Sequence, residues 1–250
     1  MKAIAAVLYR EGKIRFTNSL WIFWDLLYPL GYLLVFGVGM NYAMGSPFAG
    51  AALDYNAFFL ASVLAMACFG IASNSAWGFF VDRDNGIFYE MLTYPLSRAE
   101  FLIGKVAFNL LLGIMQAVIT VAASWAILDV PVRADLAPLL ILGVVGGTAG
   151  WFFFYAIFAL RIRRNDLFNT VNSIFYFVFL FLSSMFYPLE PLPTWFRVVA
   201  LANPVTWQVD LLRYSTIGTG DPWLVAVETV CFGLFSLAAL GYAIRCLRQQ

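Results

Sequence analysis

The sequence predicts an all-α membrane protein with six transmembrane helices, and three observations lead there. Apolar side chains make up 62% of the 250 residues and charged ones 12%, with a mean hydropathy of +0.83, outside the range of water-soluble domains. Six stretches meet the length of about 20 apolar residues that a spanning helix needs: 20–44, 55–81, 101–128, 137–160, 167–187 and 222–244. Lysine and arginine between them are dense on one side and sparse on the other, so that one topology fits.

Residues 1–19 precede the first span. Ile4, Val7, Leu8 and Ile14 share one side of a helix and Lys2, Arg10 and Lys13 the other. Glu11 and Arg15 interrupt the apolar side and are spaced to pair with each other at i,i+4. An interfacial helix lying on the membrane surface is expected. The run 20–44 has 25 residues and follows a leader containing Glu11, which reads as a retained span, not a cleaved signal. Gly45-Ser46-Pro47 ends it, and Asp25, five residues in, is expected at the interface.

After the second span comes a charged, partly amphipathic segment, 82–98, longer and more ordered than a simple turn requires. Gly86 allows the chain to turn sharply out of the span. Ser97-Arg98-Ala99-Glu100 opens the third span with a capping-box pattern. In the fourth, Gly143, Gly146, Gly147 and Gly150 read as close helix packing. Pro188 is expected to close the fifth span, and Asp221-Pro222 opens the sixth. Between them, Leu192, Trp195, Phe196 and Val199 form one short helical stripe and Val205, Val209 and Leu212 another, divided at Asn203-Pro204. Two re-entrant helices over 188–221 fit this pattern. Such backbone is tolerated at membrane depth only where protein or a watery cavity surrounds it.

Lys2, Arg10, Lys13, Arg15, Arg83, Arg98, Lys105, Arg161, Arg163, Arg164, Arg245 and Arg248 fall on one side of this topology, against Arg133, Arg197 and Arg213 on the other. Both termini are therefore expected in the cytoplasm. A net charge of +1 gives no field for nucleic acid. Histidine is absent, and Cys68, Cys231 and Cys246 have no metal-ligand spacing and read as small apolar side chains or free thiols. Lys2, Lys13 and Lys105 are followed by Ala, Ile and Val, so none completes the phosphate-binding loop that ends in Lys-Ser or Lys-Thr.

Polar groups inside the spans serve helix packing or a pathway. Asn74, Asn109, Gln116, Asn169 and Asn172 can hydrogen-bond between helices or meet a substrate. Glu228 lies about 9 Å past Pro222 along the last span; an ionisable group there contacts a cationic substrate, pairs with Gln116 or Arg213, or reaches the outer interface. Trp21, Trp24, Trp195, Trp207 and Trp223 suit interfacial belts. Phe58, Phe59, Phe152, Phe153 and Phe154 line a pathway or face lipid or a second copy.

The segment Asp82-Arg83-Asp84 through Gly86, then Glu90-Met91-Leu92 and Pro95-Leu96-Ser97-Arg98, resembles the cytoplasmic coupling segment of ABC exporter permeases of the type-two class. Phe186-Tyr187-Pro188-Leu189, Leu192-Pro193, Asn203-Pro204-Val205-Thr206-Trp207 and Val209-Asp210-Leu211-Leu212-Arg213 are similar to that family's motif after the fifth span. Asp84 stands where glutamate is common, and Tyr94 precedes Pro95 where a smaller residue is usual. The resemblance implies that 1–250 is a single permease unit, paired with itself or a similar chain. Two copies of a separate cytosolic ATPase would hold the ATP and Mg. The cargo would be an amphipathic drug-like molecule, lipid or lipid-linked glycan exported across the bacterial cytoplasmic membrane, with a polysaccharide exporter as the alternative. It further implies that Ile87, Phe88, Met91 and Leu92 anchor in a groove of the ATPase, that Arg83, Asp84 and Glu90 orient the contact, and that Pro95 belongs to the same element. Pro188, Trp195, Asn203, Pro204, Trp207, Asp210 and Arg213 would build the re-entrant segment, and Asn74, Gln116 and Glu228 a substrate pathway. A remote alternative is a membrane enzyme acting on lipid phosphates, with Asp82 and Asp84 as metal ligands; they stand without a second acidic cluster.

Overall fold

A computed structural model describes residues 2–44 and 54–249, and among them every regular element is helical. α1 (Lys2–Thr17) ends at a break at Asn18, after which α2 (Ser19–Tyr32), a π turn (Leu33–Gly37) and α3 (Val38–Met44) form one continuous helix. The π turn follows Pro29, which withholds a backbone donor inside α2. Next come α4 (Tyr55–Asp84), α5 (Ile87–Met91), α6 (Arg98–Leu128), α7 (Ala137–Arg161), α8 (Asn165–Phe181), α9 (Thr194–Leu201), α10 (Pro204–Ile217) and α11 (Pro222–Arg248). The expected stop at Gly45-Ser46-Pro47 lies outside the described residues.

Five stretches are long and apolar enough to cross a bilayer: Ile22–Ala43, Tyr55–Asp84, Arg98–Leu128, Ala134–Arg161 and Pro222–Arg248. The chain is thus an all-α multi-pass membrane protein. The fifth predicted span is the exception. α8 has 17 residues, about 26 Å at 1.5 Å per residue, short of the roughly 30 Å hydrocarbon core. It stops at Phe181, before Pro188, because side chains take its last carbonyls. Ser183 Oγ donates to Leu180 O at 2.6 Å, and Asn203 Nδ2 donates to Phe179 O at 2.9 Å and Leu182 O at 2.7 Å.

α4 is the centre of the bundle. Its apolar residues run all round the helix, as a helix enclosed by others requires, and from Tyr55 to Ala76 nearly every side chain is buried. α7 packs on it through an aromatic cluster in which Trp151 meets Phe69 at 4.6 Å between ring centroids, Phe235 at 5.4 Å and Phe179 at 5.5 Å. Trp151 Nε1 donates to Gln208 Oε1 of α10 at 2.6 Å. Gly143 and Gly147 meet Leu212 and Gln208 of α10, and Gly150 meets Ser236 of α11, the close packing expected of the glycine pattern; Gly146 has open space. Phe58, Phe59 and Phe152 are buried within this core, so they face neither lipid nor a second copy.

α1 does not present the two faces expected of it. Ile14 is exposed, whereas Val7, Glu11 and Arg15 are buried. Val7 sits so close to Gly104 of α6 that a Cβ there would lie 2.6 Å from it. Glu11 and Arg15 are each held by other helices. Lys105 Nζ, buried in α6, lies 2.8 Å from Glu11 Oε1 and 2.9 Å from Asp82 Oδ2. Arg10 completes the cluster, with Nη2 at 2.6 Å from Asp82 Oδ1 and Nη1 at 2.9 Å from Glu11 Oε1. Arg15 Nη1 lies 2.9 Å from Asp25 Oδ2. Asp25 is therefore buried and paired with α1.

Removing one member of a buried ion cluster leaves the others uncompensated. Lys105→Met is expected to destabilise the protein by about 3–5 kcal/mol and to loosen α1 from α6. Thermal unfolding in detergent and the rate of tryptic cleavage after Arg10 and Lys13 measure both. An unchanged midpoint and cleavage rate would contradict this role.

Candidate functional site

The hairpin at 82–98 is built from the end of α4. Asn85 and Gly86 form the turn, and Gly86 adopts φ 78°, a left-handed conformation that costs glycine least. α5 is a single short turn of helix that puts Phe88 inward, wholly buried among Phe79 (5.6 Å), Phe101 (5.2 Å) and Tyr89 (5.4 Å). Met91, Leu92 and Leu96 pack on the same core. Arg83 is buried as well; it donates to Ala159 O at 2.5 Å and to Ile162 O, satisfying carbonyls at the end of α7 where a cation is favoured. Of the residues expected to meet a partner, Arg83 and Phe88 thus hold the hairpin to the bundle.

The outward surface is different. Asp84, Glu90, Thr93 and Pro95 are exposed, with Tyr89 and Tyr94 at 44% and 64% exposure. Ser97 and Glu100 form the expected capping box at the start of α6: Ser97 Oγ accepts from Glu100 N–H at 3.2 Å, and Ser97 N–H donates to Glu100 Oε2 at 2.9 Å. Neither tyrosine was expected at the contact from the sequence, where Tyr94 stood out only for its size before Pro95. Their signal was bulk next to a proline and a charge in a segment already rich in apolar anchors.

On the other end of the bundle, 182–187 is irregular backbone packed against α4 and α10, and side chains satisfy it. Ser62 Oγ donates to Met185 O at 2.5 Å, Tyr55 OH to Phe186 O at 3.0 Å, and Arg213 Nη2 to Ser184 O at 2.8 Å. Arg213 also lies 2.6 Å from Asp210 Oδ1 and 4.0 Å from the centre of the Phe58 ring. Asn203 caps α10 by accepting from Val205 N–H at 2.9 Å, with Pro204 at the first helical position. Trp207 Nε1 donates to Leu201 O at 2.7 Å, joining α9 to α10. Pro188 lies in the turn before α9, and Trp195 projects outward at 67% exposure.

The three residues predicted for a pathway are not brought together. Asn74 lines a cavity of about 250 Å³ between α2, α4 and α8, with Asp25, Tyr28, Ser73, Asn172 and Tyr176. Asn74 Nδ2 donates to Asp25 Oδ1 at 2.7 Å, and Ser73 Oγ to Asn172 Oδ1 at 2.7 Å. Gln116 is buried between α6 and α2, donating to Thr120 Oγ1 at 3.1 Å and to Leu26 O at 3.3 Å. Glu228 is buried in α11 with no hydrogen-bond partner for its carboxylate among the described residues. Asp25 is the residue whose importance was underread; an acid inside an apolar run was its signal.

Both carboxylate oxygens of Asp82 are occupied by Arg10 and Lys105, and Asp84 points away on the exposed side. That donor set does not suit the metal-dependent lipid-phosphate enzyme. Among the described residues no group of three metal-ligating side chains occurs.

The family model described as ABC-2 type transporter matches residues 2–217. A putative transport permease ycf38 of Pyropia yezoensis is 25% identical over 190 residues, 76% of this chain and 65% of that protein's length. The daunorubicin resistance ABC transporter permease protein DrrB1 of Streptomyces coeruleorubidus is 26% identical over 221 residues, covering 86% of this chain and 75% of its own. The probable multidrug ABC transporter permease YbhR of Escherichia coli (strain K12) is 25% identical over 168 residues, 64% of this chain and 44% of its own.

Replacing Asn203 by alanine removes a helix cap and leaves the half-buried carbonyls of Phe179 and Leu182, at the end of α8, without this donor. The expected cost is about 2–4 kcal/mol, read as a lower thermal midpoint in detergent. A midpoint unchanged from wild type would show that the α8–α10 junction does not depend on this side chain.

Proposed function

The chain belongs to the ABC-2 type transporter family, and from that premise we propose that it is the permease subunit of an ATP-driven exporter for amphipathic cargo. In this reading 1–250 form one permease unit with six crossings, the fifth completed by α8 together with 182–187. Both termini face the cytoplasm of a bacterial cell with this protein in its inner membrane. α1 lies at the membrane surface, with Tyr9, Ile14 and Phe16 exposed towards it. α9 and α10 re-enter from the outer side.

The observation that carries the reading is the division of labour within 82–98. Arg83 and Phe88 fix the hairpin to the bundle, while Tyr89, Glu90, Tyr94 and Asp84 face outward. An element braced on one side and presenting two aromatic rings and two carboxylates on the other suits a docking surface. The partner is a cytosolic ATPase, one copy for each of two permeases. Its closure would push on Tyr89 and Tyr94, and the bracing would pass the displacement to α4, α6 and α7.

The second permease, identical or similar, covers α8. Asn169, Thr170, Ser173, Ile174 and Phe177 form a continuous exposed face there, mixed polar and aromatic as a pathway for amphipathic molecules requires. The cavity at Asn74 opens beside the same helix and offers Asp25, Tyr28 and Asn172 to polar parts of the cargo. The names of the Streptomyces and Escherichia relatives, daunorubicin resistance and multidrug transport, favour drug-like cargo over a glycan.

Tyr89→Ala combined with Glu90→Ala and Tyr94→Ala is expected to abolish co-purification of the ATPase with the permease while leaving its thermal midpoint unchanged. Arg83→Ala is expected to lower that midpoint instead. Retention of the ATPase and full ATP-dependent transport by the triple variant would refute the docking face.

A further inference from the structure

α6 and α11 stand apart where they approach the hairpin, and Phe153 of α7 floors the space between them, leaving a cavity of about 760 Å³. Ile103 and Val106 of α6 and Leu240 and Ile244 of α11 make its walls apolar. From Arg98 to Leu110 it extends about 18 Å along α6, close to the roughly 15 Å depth of one leaflet's hydrocarbon. Its rim at the hairpin end carries Arg98 and Arg248. Arg98 Nη1 donates to Arg248 O at 3.4 Å, which brings the two residues side by side. Among the described residues neither guanidinium has a carboxylate at ion-pairing distance. Glu100, the acid nearest Arg98 in sequence, has its Oε2 taken by the Ser97 N–H and hydroxyl.

Two cations that no carboxylate of the described residues pairs, at the mouth of an apolar slot one leaflet deep, call for an anion that brings its own hydrocarbon. We propose that the α6–α11 groove binds an anionic phospholipid of the cytoplasmic leaflet, its phosphate between Arg98 and Arg248 and an acyl chain along Ile103, Val106, Phe153 and Leu240. The choice of leaflet rests on the reading of 82–98 as cytosolic. Because Arg98 ends the hairpin and Arg248 ends α11, the bound lipid ties the hairpin to the last helix.

Native mass spectrometry of the full chain, exposed to equal amounts of phosphatidylglycerol and phosphatidylcholine, tests this. Wild type is expected to retain phosphatidylglycerol preferentially. The double variant Arg98→Gln, Arg248→Gln is expected to lose that preference by about tenfold or more, while Arg98→Lys with Arg248→Lys keeps most of it. Ala107→Trp fills the slot without altering charge and is expected to lose both lipids. Equal retention of the two lipids by wild type, or an undiminished preference in the glutamine variant, overturns the proposal. So does a cysteine at Ile103 that cross-links to its counterpart in a second chain, which would assign the groove to a subunit contact. The measurement uses the permease alone, so it fails or succeeds independently of ATPase docking.

Discussion

The carboxylate of Asp82 is the point from which the half of the molecule that carries the 82–98 hairpin is organised. It sits in the last turn of the central helix and holds Arg10 of α1 and Lys105 of α6 at once. A lysine ammonium as buried as that of Lys105 is tolerable only when opposite charge surrounds it, and Glu11 supplies the remainder. The next residue, Arg83, turns to the opposite flank and closes the end of α7. Two consecutive charged side chains therefore fix the exit of α4 to three other helices before the chain turns at Gly86. With Phe88 then wedged between Phe79 and Phe101, little freedom is left for the hairpin to move independently of the bundle. On the proposed reading, that rigidity lets displacement of a short cytosolic element reach the spans.

The opposite half solves a different problem. Irregular backbone at 182–187 and two short helices bury many peptide groups where solvent cannot replace lost hydrogen bonds. Asn203, Ser62, Tyr55 and Arg213 take the carbonyls that the helices leave open. These bonds cross between α4, α8 and α10, so this segment is held by side chains rather than by continuous helix.

Much of the architecture was legible in the sequence because apolar length and charge placement are local signals. The starts of α4, α7 and α11, the end of α6, the Gly86 turn and the Ser97–Glu100 box all follow from nearest-neighbour chemistry. The end of α8 did not, because the residue that terminates it, Asn203, is more than twenty positions away. The partners of Glu11, Arg15 and Asp25 were likewise set by tertiary packing; spacing alone suggested a pair within α1 and an acid at the interface. The same limit applied to Arg83 and Phe88. The family resemblance marked them as contact residues, and only the fold distinguishes a side chain that braces an element from one that the element displays. Tyr89 and Tyr94 became visible as a surface once the inward residues were known.

The central claim is that 82–98 protrudes into the cytosol with its Tyr94 face accessible. A chain with Cys68, Cys231 and Cys246 replaced by serine or alanine and a single cysteine at Tyr94 tests it directly with a membrane-impermeant maleimide. Labelling is predicted in inverted inner-membrane vesicles and not in intact cells. Labelling of intact cells at that position would contradict the account.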